Sequence, residues 1–332
     1  MDGGYRFLPA LAIVALAFAS PCAAQTTLSD PSIKFTVAPK PYAVLKRASV
    51  QAIVVDNQAV DDEILKGHRA GYSGVASLTH EKTKTNLFVP AYAGLNFEHI
   101  HDGTTHPRPV IFEPRNFPME LRIIDAHTVE LYQKPTPNWF LESCQRYELL
   151  EDGAIQLTIE CVPRKRNFKN GYIGLFWASY INKPESTDIH FLGHGEGKTA
   201  NARWIDASSP SHGVNATHLS SIDTRTFTHD PDFPMTLVFN QSKFRFTEPW
   251  YFGVCRDFAY VQGFRASDNV RFAQSPSGGG NGNPAWDFQF FIPDYQVDHL
   301  YRFAMRAVYT PMTTPAAIRQ TARQHLDALN PK

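Results

Sequence analysis

The feature that most restricts the fold of this chain is a period of two. Trp286, Phe288, Phe290 and Ile292 alternate with Asp287, Gln289 and Phe291, and Tyr301, Phe303, Met305, Ala307 and Tyr309 alternate with Arg302, Ala304, Arg306 and Val308. Successive side chains of a strand point to opposite faces, so the pattern marks strands with one buried face. Similar segments, punctuated by Pro and Gly, recur at 51–56, 128–133, 146–150, 155–161, 172–181, 235–239 and 250–260. The spacing predicts a mainly β protein. One helix closes the chain over 315–329: Thr314 can cap it, Pro315 suits its first turn, and Ile318, Ala322, Leu326 and Leu329 share a face that can dock on a sheet.

The turn at Glu151-Asp152-Gly153 fixes a register. A two-residue turn would split the flanking apolar side chains between both faces. A three-residue loop with Gly153 left-handed puts Tyr147, Leu149, Ile155, Leu157 and Ile159 on one face, and burial at about 1.5–3 kcal/mol each favours it. That register places Cys144 and Cys161 on opposite faces, which argues against a bridge between them. It also gathers Arg146, Glu148, Gln156, Thr158 and Glu160 on a polar face.

Composition narrows the class. The 332 residues are 43% hydrophobic, enough for a large packed core, and the net charge is zero. A balanced charge argues against a nucleic-acid partner and against an anionic membrane surface, both of which need a basic excess. Residues 1–24 read as a signal peptide: Arg6 begins it, 8–19 are apolar but too few to span a bilayer, and Cys22-Ala23-Ala24 offers a cleavage site. No later run is long and apolar enough for an integral membrane segment. The expectation is an exported chain, periplasmic or secreted, with residues 25–332 as one β-sandwich domain. Only Cys144, Cys161 and Cys255 follow the leader, so packing rather than a disulfide framework must hold the fold.

Several polar clusters could carry chemistry. The densest is Asn96-Phe97-Glu98-His99-Ile100-His101-Asp102. On a regular strand, Phe97, His99 and His101 share one face and Asn96, Glu98 and Ile100 the other. His99 or His101 could act as a general base tuned by Glu98, could chelate a divalent metal as a His-x-His pair, or could simply bond backbone. A second cluster joins Glu248 to Trp250 and Arg256, a carboxylate and a cation beside an aromatic ring, as sugar sites often have. Tyr180 and Asn182 with His190 form a third, and Arg146 with its neighbouring glutamates a fourth. Gln274 and Trp286 flank the Gly-rich loop 275–284.

The order of these segments resembles that of galactose-mutarotase-like proteins. Asn96–Asp102 stands where that family has an early sugar-contacting segment. Ala178-Ser179-Tyr180-Ile181-Asn182, followed by Ile189-His190-Phe191-Leu192, resembles its mid-chain motif, and Gln274-Ser275-Pro276 its late one. Two departures matter: Ala178-Ser179 stands where the family's mid-chain His is expected, and Gln274 where its late Glu base is expected. The resemblance implies a large antiparallel β-supersandwich with a sugar bound in a concave polar sheet.

The combined expectation is a carbohydrate-active enzyme working by acid/base chemistry, with lyase, hydrolase and epimerase all open. Its proton-transfer groups would be drawn from His99, Glu248, His101 and Glu98. Asn96, Arg146, Tyr180, Asn182, His190, Trp250, Arg256, Gln274 and Trp286 would contact the carbohydrate. No cofactor is called for, with a divalent metal at His99/His101 as the minor alternative. The other readings are a non-catalytic glycan-binding protein of the envelope, which needs exposed aromatics along a groove, and a structural β protein, which needs no polar cleft.

Overall fold

The computed structural model describes residue 1 and residues 32–195 and 201–331; apart from residue 1, the predicted leader, 1–24, lies outside the described residues. Sixteen strands form one continuous hydrogen-bonded sheet, and Tyr42–Arg47, Val50–Val55 and Gly74–His80 form a separate three-stranded antiparallel one. The large sheet is antiparallel apart from the parallel pairing of Thr217–Ser220 with Gln241–Phe246. It bends back on itself. Leu141–Leu149, Ile155–Pro163, Tyr301–Pro311 and Phe258–Phe264 make one layer, and Arg271–Ser275, Ala285–Ile292, Ile173–Ala178 and Asn96–His101 make the other. This is the large antiparallel sandwich that the resemblance implies, built from the strands that the alternating segments predict.

Aromatic side chains fill the space between the layers. Phe97 stacks on Trp177 at 4.4 Å, Trp177 on Phe288 at 5.7 Å, and Phe290 on Phe303 of the facing layer at 4.4 Å. Polar tips are satisfied across the sandwich: Tyr147 Oη donates to the Leu95 carbonyl at 2.9 Å and Trp177 Nε1 to Gln145 Oε1 at 3.0 Å. Rings therefore supply both the buried area and the hydrogen bonds that lock the layers together.

The hairpin register is the three-residue one. Leu149 pairs with Ile155 and Tyr147 with Leu157, Gly153 has φ +85°, and the Leu150 N–H bonds the Ala154 carbonyl. Cys144 pairs with Glu160 and Cys161 with Ser143, so the two sulfurs face opposite ways; Cys144, Cys161 and Cys255 are free, buried thiols. The polar face of this hairpin is a solvent-side ladder, in which Arg146 reaches Glu130 at 2.6 Å, Arg302 Glu160 at 2.5 Å and Arg306 Gln156 at 3.0 Å.

The helix spans Pro315–Leu329, with Thr314 Oγ1 accepting from the Ala317 N–H. Its Ile318, Ala322 and Leu326 bury on Trp250, Phe252 and Val261, on the outer face of the sheet. Two expected strands differ. Residues 250–260 are a hairpin, Trp250–Cys255 and Phe258–Phe264, turned at Arg256-Asp257. Both turn residues have positive φ, as a two-residue hairpin requires, and the Glu185 carboxylate accepts from the Arg256 N–H. Residues 235–239 form turns, and the Leu237 carbonyl accepts from Thr217 Oγ1 at 2.6 Å.

A Cβ at 153 would add left-handed strain and stand 2.9 Å from Val50 Cγ2. Gly153→Ala is therefore expected to destabilise the chain by about 1–2 kcal/mol in denaturant unfolding. The three thiols should react with a thiol reagent only after unfolding; rapid labelling of the folded protein would contradict the packing.

Candidate functional site

One extra residue builds the site. Asn96–His101 and Ile173–Ala178 pair His99 with Phe176 but Phe97 with Trp177, which leaves Glu98 unopposed. This is a β-bulge, and it resets the alternation. Phe97 and Ile100 both enter the sandwich core, while Glu98 and His99, consecutive in sequence, both line a cavity on the opposite face of the layer. The expected split, with Glu98 and His99 on opposite faces, is corrected by that bulge.

The cavity holds about 190 Å³. Its floor is Glu98, His99, Phe176, Ala178 and Asp287 from adjacent strands. The short helices Arg108–Ile111 and Glu113–Asn116 contribute Arg108 and Arg115 with Phe112, and the turns at 234–237 close another side. Arg115 Nη1 lies 2.9 Å from Glu98 Oε1, and its guanidinium rests on the Tyr72 ring at 4.0 Å. Tyr180 Oη donates to the Glu98 carboxylate, 2.6 and 2.7 Å from its two oxygens. The His99 ring meets the edge of Phe112 at 4.1 Å; its Nε2 is 3.9 Å from Glu98 Oε1, and neither ring nitrogen has a hydrogen-bond partner among the described residues. Across the cavity His212 Nδ1 bonds Ser275 Oγ at 2.9 Å.

Burial sets the charges. It lifts Glu98 above the ordinary carboxylate range, while the Arg115 charge and the hydrogen bonds from Tyr180 and Arg115 pull it back. Asp287 has no such cation: burial, then the charge of Glu98, push it well above the usual range against one hydrogen bond from the Ser179 N–H at 3.1 Å. His99 is driven well below an ordinary imidazole by burial, then by His101, Arg115 and Arg108. Burial thus opposes charge on all three groups, with a neighbouring cation to offset it at Glu98 and none at Asp287, and separating two carboxyls in this way is how acid and base roles are divided.

The sequence clusters do not all converge here. Glu98, His99 and Tyr180 line the cavity. Asn96 lies just behind it, accepting from the Ser73 N–H at 3.0 Å. His101 shares the face but is enclosed by Phe233, Phe239 and Phe291, and burial lowers its pKa to about 3. Glu248 is elsewhere. Burial alone would raise its pKa, but Arg319, Trp250 Nε1 and Arg323 outweigh that and hold it at about 2, so it fastens the C-terminal helix to the sheet and has no free lone pair for catalysis. Trp250 packs beneath that helix and Trp286 inside the sandwich, and neither offers a ring to a ligand. Gln274 points to the core side and bonds His218 at 3.0 Å. Arg146 is in the Glu130 ladder, His190 pairs with Asp206 at 2.7 Å, and the Arg256 guanidinium donates to the Asn182 carbonyl at 2.6 Å; none of these four residues lines this cavity. No group of three or more His, Cys, Asp or Glu among the described residues is placed to hold a metal ion.

Arg108, Phe112, Arg115 and Asp287 were not among the expected site residues. Asp287 had a signal, as an acid in a strand whose other face, Trp286, Phe288, Phe290 and Ile292, is wholly apolar. The arginines lie in the Pro-rich stretch 107–118, which has no period to read.

No family model and no curated protein matches the sequence. Among solved structures, a candidate aldose 1-epimerase of Escherichia coli K12 is similar to this chain at 10% identity and TM-score 0.44, over 84% of this chain and 100% of that one. A ligand-bound α-N-acetylgalactosaminidase of Bifidobacterium bifidum matches at 10% identity and TM-score 0.49, over 86% of this chain and 39% of that one. A heparan sulfate lyase of Pedobacter heparinus matches at 10% identity and TM-score 0.39, over 86% and 38%. This chain spans the full length of the first and about two fifths of the other two.

Two outcomes follow from the electrostatics. A folded pKa raised above the unfolded one gives stability that is present at low pH and lost as pH rises through the folded value. Asp287→Asn should therefore gain stability over the wild type progressively as pH rises above about 4, read as a widening difference in Tm; a constant difference would mean that Asp287 is ionised and paired. Glu248→Ala should cost about 1 kcal/mol, or roughly 2–4 °C in Tm, by loosening the helix.

Proposed function

We propose that this chain is an exported carbohydrate-active enzyme that performs acid/base chemistry on a single sugar unit in the cavity over the bulged strand. The observation that carries the reading is the pair Glu98 and Asp287: two carboxyls in one cavity, one held by Arg115 and the other left to keep its proton. Perturbed carboxyls in a cleft mark functional sites more often than structural ones. In this scheme Glu98 accepts a proton from a substrate hydroxyl, and Asp287 donates one to the oxygen on which negative charge develops. Neutral His99, with both ring nitrogens unpartnered, offers an N–H to a further substrate oxygen. Phe112, Phe176 and Tyr72 supply apolar walls for the C–H faces of a ring. Below the ~300–1,000 Å³ usual for drug-sized ligands, the cavity suits one ring rather than an extended chain. Export rests on the composition of residues 1–24, and the fold is one on which sugar chemistry would sit over a concave sheet.

The test is a substrate panel read three ways: exchange between anomers of free sugars by NMR, chromophore release from aryl glycosides, and absorbance of unsaturated uronate ends. Glu98→Gln and Asp287→Asn should each lower kcat/KM by about 10²–10⁴, the range general acid/base catalysis supplies, while Glu248→Gln leaves it unchanged. Sugar binding without turnover in any assay would make this a glycan-binding protein instead.

A further inference from the structure

Two arginines line the cavity. Arg115 pairs with Glu98, and its Nε donates to the Gly71 carbonyl at 2.7 Å. Arg108 has no ion pair and no side-chain hydrogen bond among the described residues; its guanidinium carbon stands over the Phe112 ring, 3.9 Å from the centroid. It is close enough that its charge bears on both Glu98 and His99. Between the two arginines and that carboxylate, His99 stands with both ring nitrogens unpartnered at 6% exposure.

The charges of the cavity can be balanced group by group. Arg115 and Glu98 cancel. Burial favours the neutral forms of Asp287 and His99, and Arg108 is the cation of the cavity that has no carboxylate partner among the described residues. The Phe112 ring takes up one face of the guanidinium, and its edge, a fork of N–H donors in one plane, matches the two oxygens of a carboxylate. The buried His99 can add one neutral N–H from the cavity floor.

From these contacts we infer that the sugar this cavity takes is a uronate, its carboxylate held by the edge of Arg108 and by a ring N–H of His99. The inference rests on the proposed function and deepens it, naming the substrate class of the same site. One carboxylate neutralises the site, whereas a phosphate dianion would overshoot it and a neutral hexose would leave the cation bare.

The experiment is a calorimetric titration of the full protein with galacturonate and glucuronate, with galactose and glucose, and with a hexose 6-phosphate. A uronate should bind about 10–100-fold tighter than its parent hexose, as expected for a charge-assisted hydrogen-bonded pair, and the preference should shrink as salt rises. Arg108→Gln should abolish the preference while leaving hexose affinity within about twofold, and Arg108→Lys should restore part of it. Circular dichroism and Tm establish that each variant is folded; Arg108 is exposed and its substitution leaves the core intact. Equal binding of uronate and hexose, a preference that survives Arg108→Gln, or tighter binding of the phosphate overturns the inference and leaves the proposed function standing. Failure of every sugar to bind overturns both.

Discussion

The site depends on a miscount between two strands. Because Glu98 has no partner opposite it, two neighbouring polar residues emerge on one side of the layer and two apolar ones, Phe97 and Ile100, on the other. Without that extra residue either Glu98 or His99 would be driven into a core of stacked rings, at the cost of an unpaired buried polar group. The next strand accommodates the result: Gly174 lies under the His101 ring, where a Cβ would collide with it. Tyr180 and Arg115 then close on the displaced carboxylate from outside the strand pair.

What surrounds the bulge is an electrostatic compromise. Burying Glu98 is offset by a cation and a phenol, whereas burying Asp287 is offset by keeping its proton. The two solutions stand side by side and depend on each other, since the Glu98 charge is part of what holds the Asp287 proton. The strands that carry the two solutions are backed on their core side by the stacked Phe97, Trp177 and Phe288.

Much of the scaffold was legible in the sequence because its signals are local. The period-two segments at 286–292 and 301–309 are strands, the capped helix runs from Pro315 to Leu329, and the burial argument chose the register around Gly153. The site was legible only in part. The segment 96–102 and Tyr180 stood out by composition, but a bulge leaves no mark in a residue pattern, so the faces of Glu98 and Ile100 were read one step out of phase. Glu248 and Trp250 have the composition of a sugar site and became something else, because a helix seventy residues later covers them and pairs with the carboxylate. The Arg256-Asp257 turn was read as strand because it has no Gly or Asn to mark it and apolar residues run on both sides of it.

The way the sheet closes also bears on when it can form. The hairpin built around Gly153 presents its free edge to Tyr301–Pro311, and the Arg302–Glu160 contact joins residues 142 apart in the chain. Until Tyr301–Pro311 exists, Ile155–Pro163 is an unsatisfied edge, and its layer lacks the strand that joins it to Phe258–Phe264. Pairings so distant in sequence form slowly, since the loop must close before any contact rewards it. The chain is therefore expected to commit to its native state only once Tyr301–Pro311 has been made, and until then it exposes one long edge to any holding partner it meets on the way.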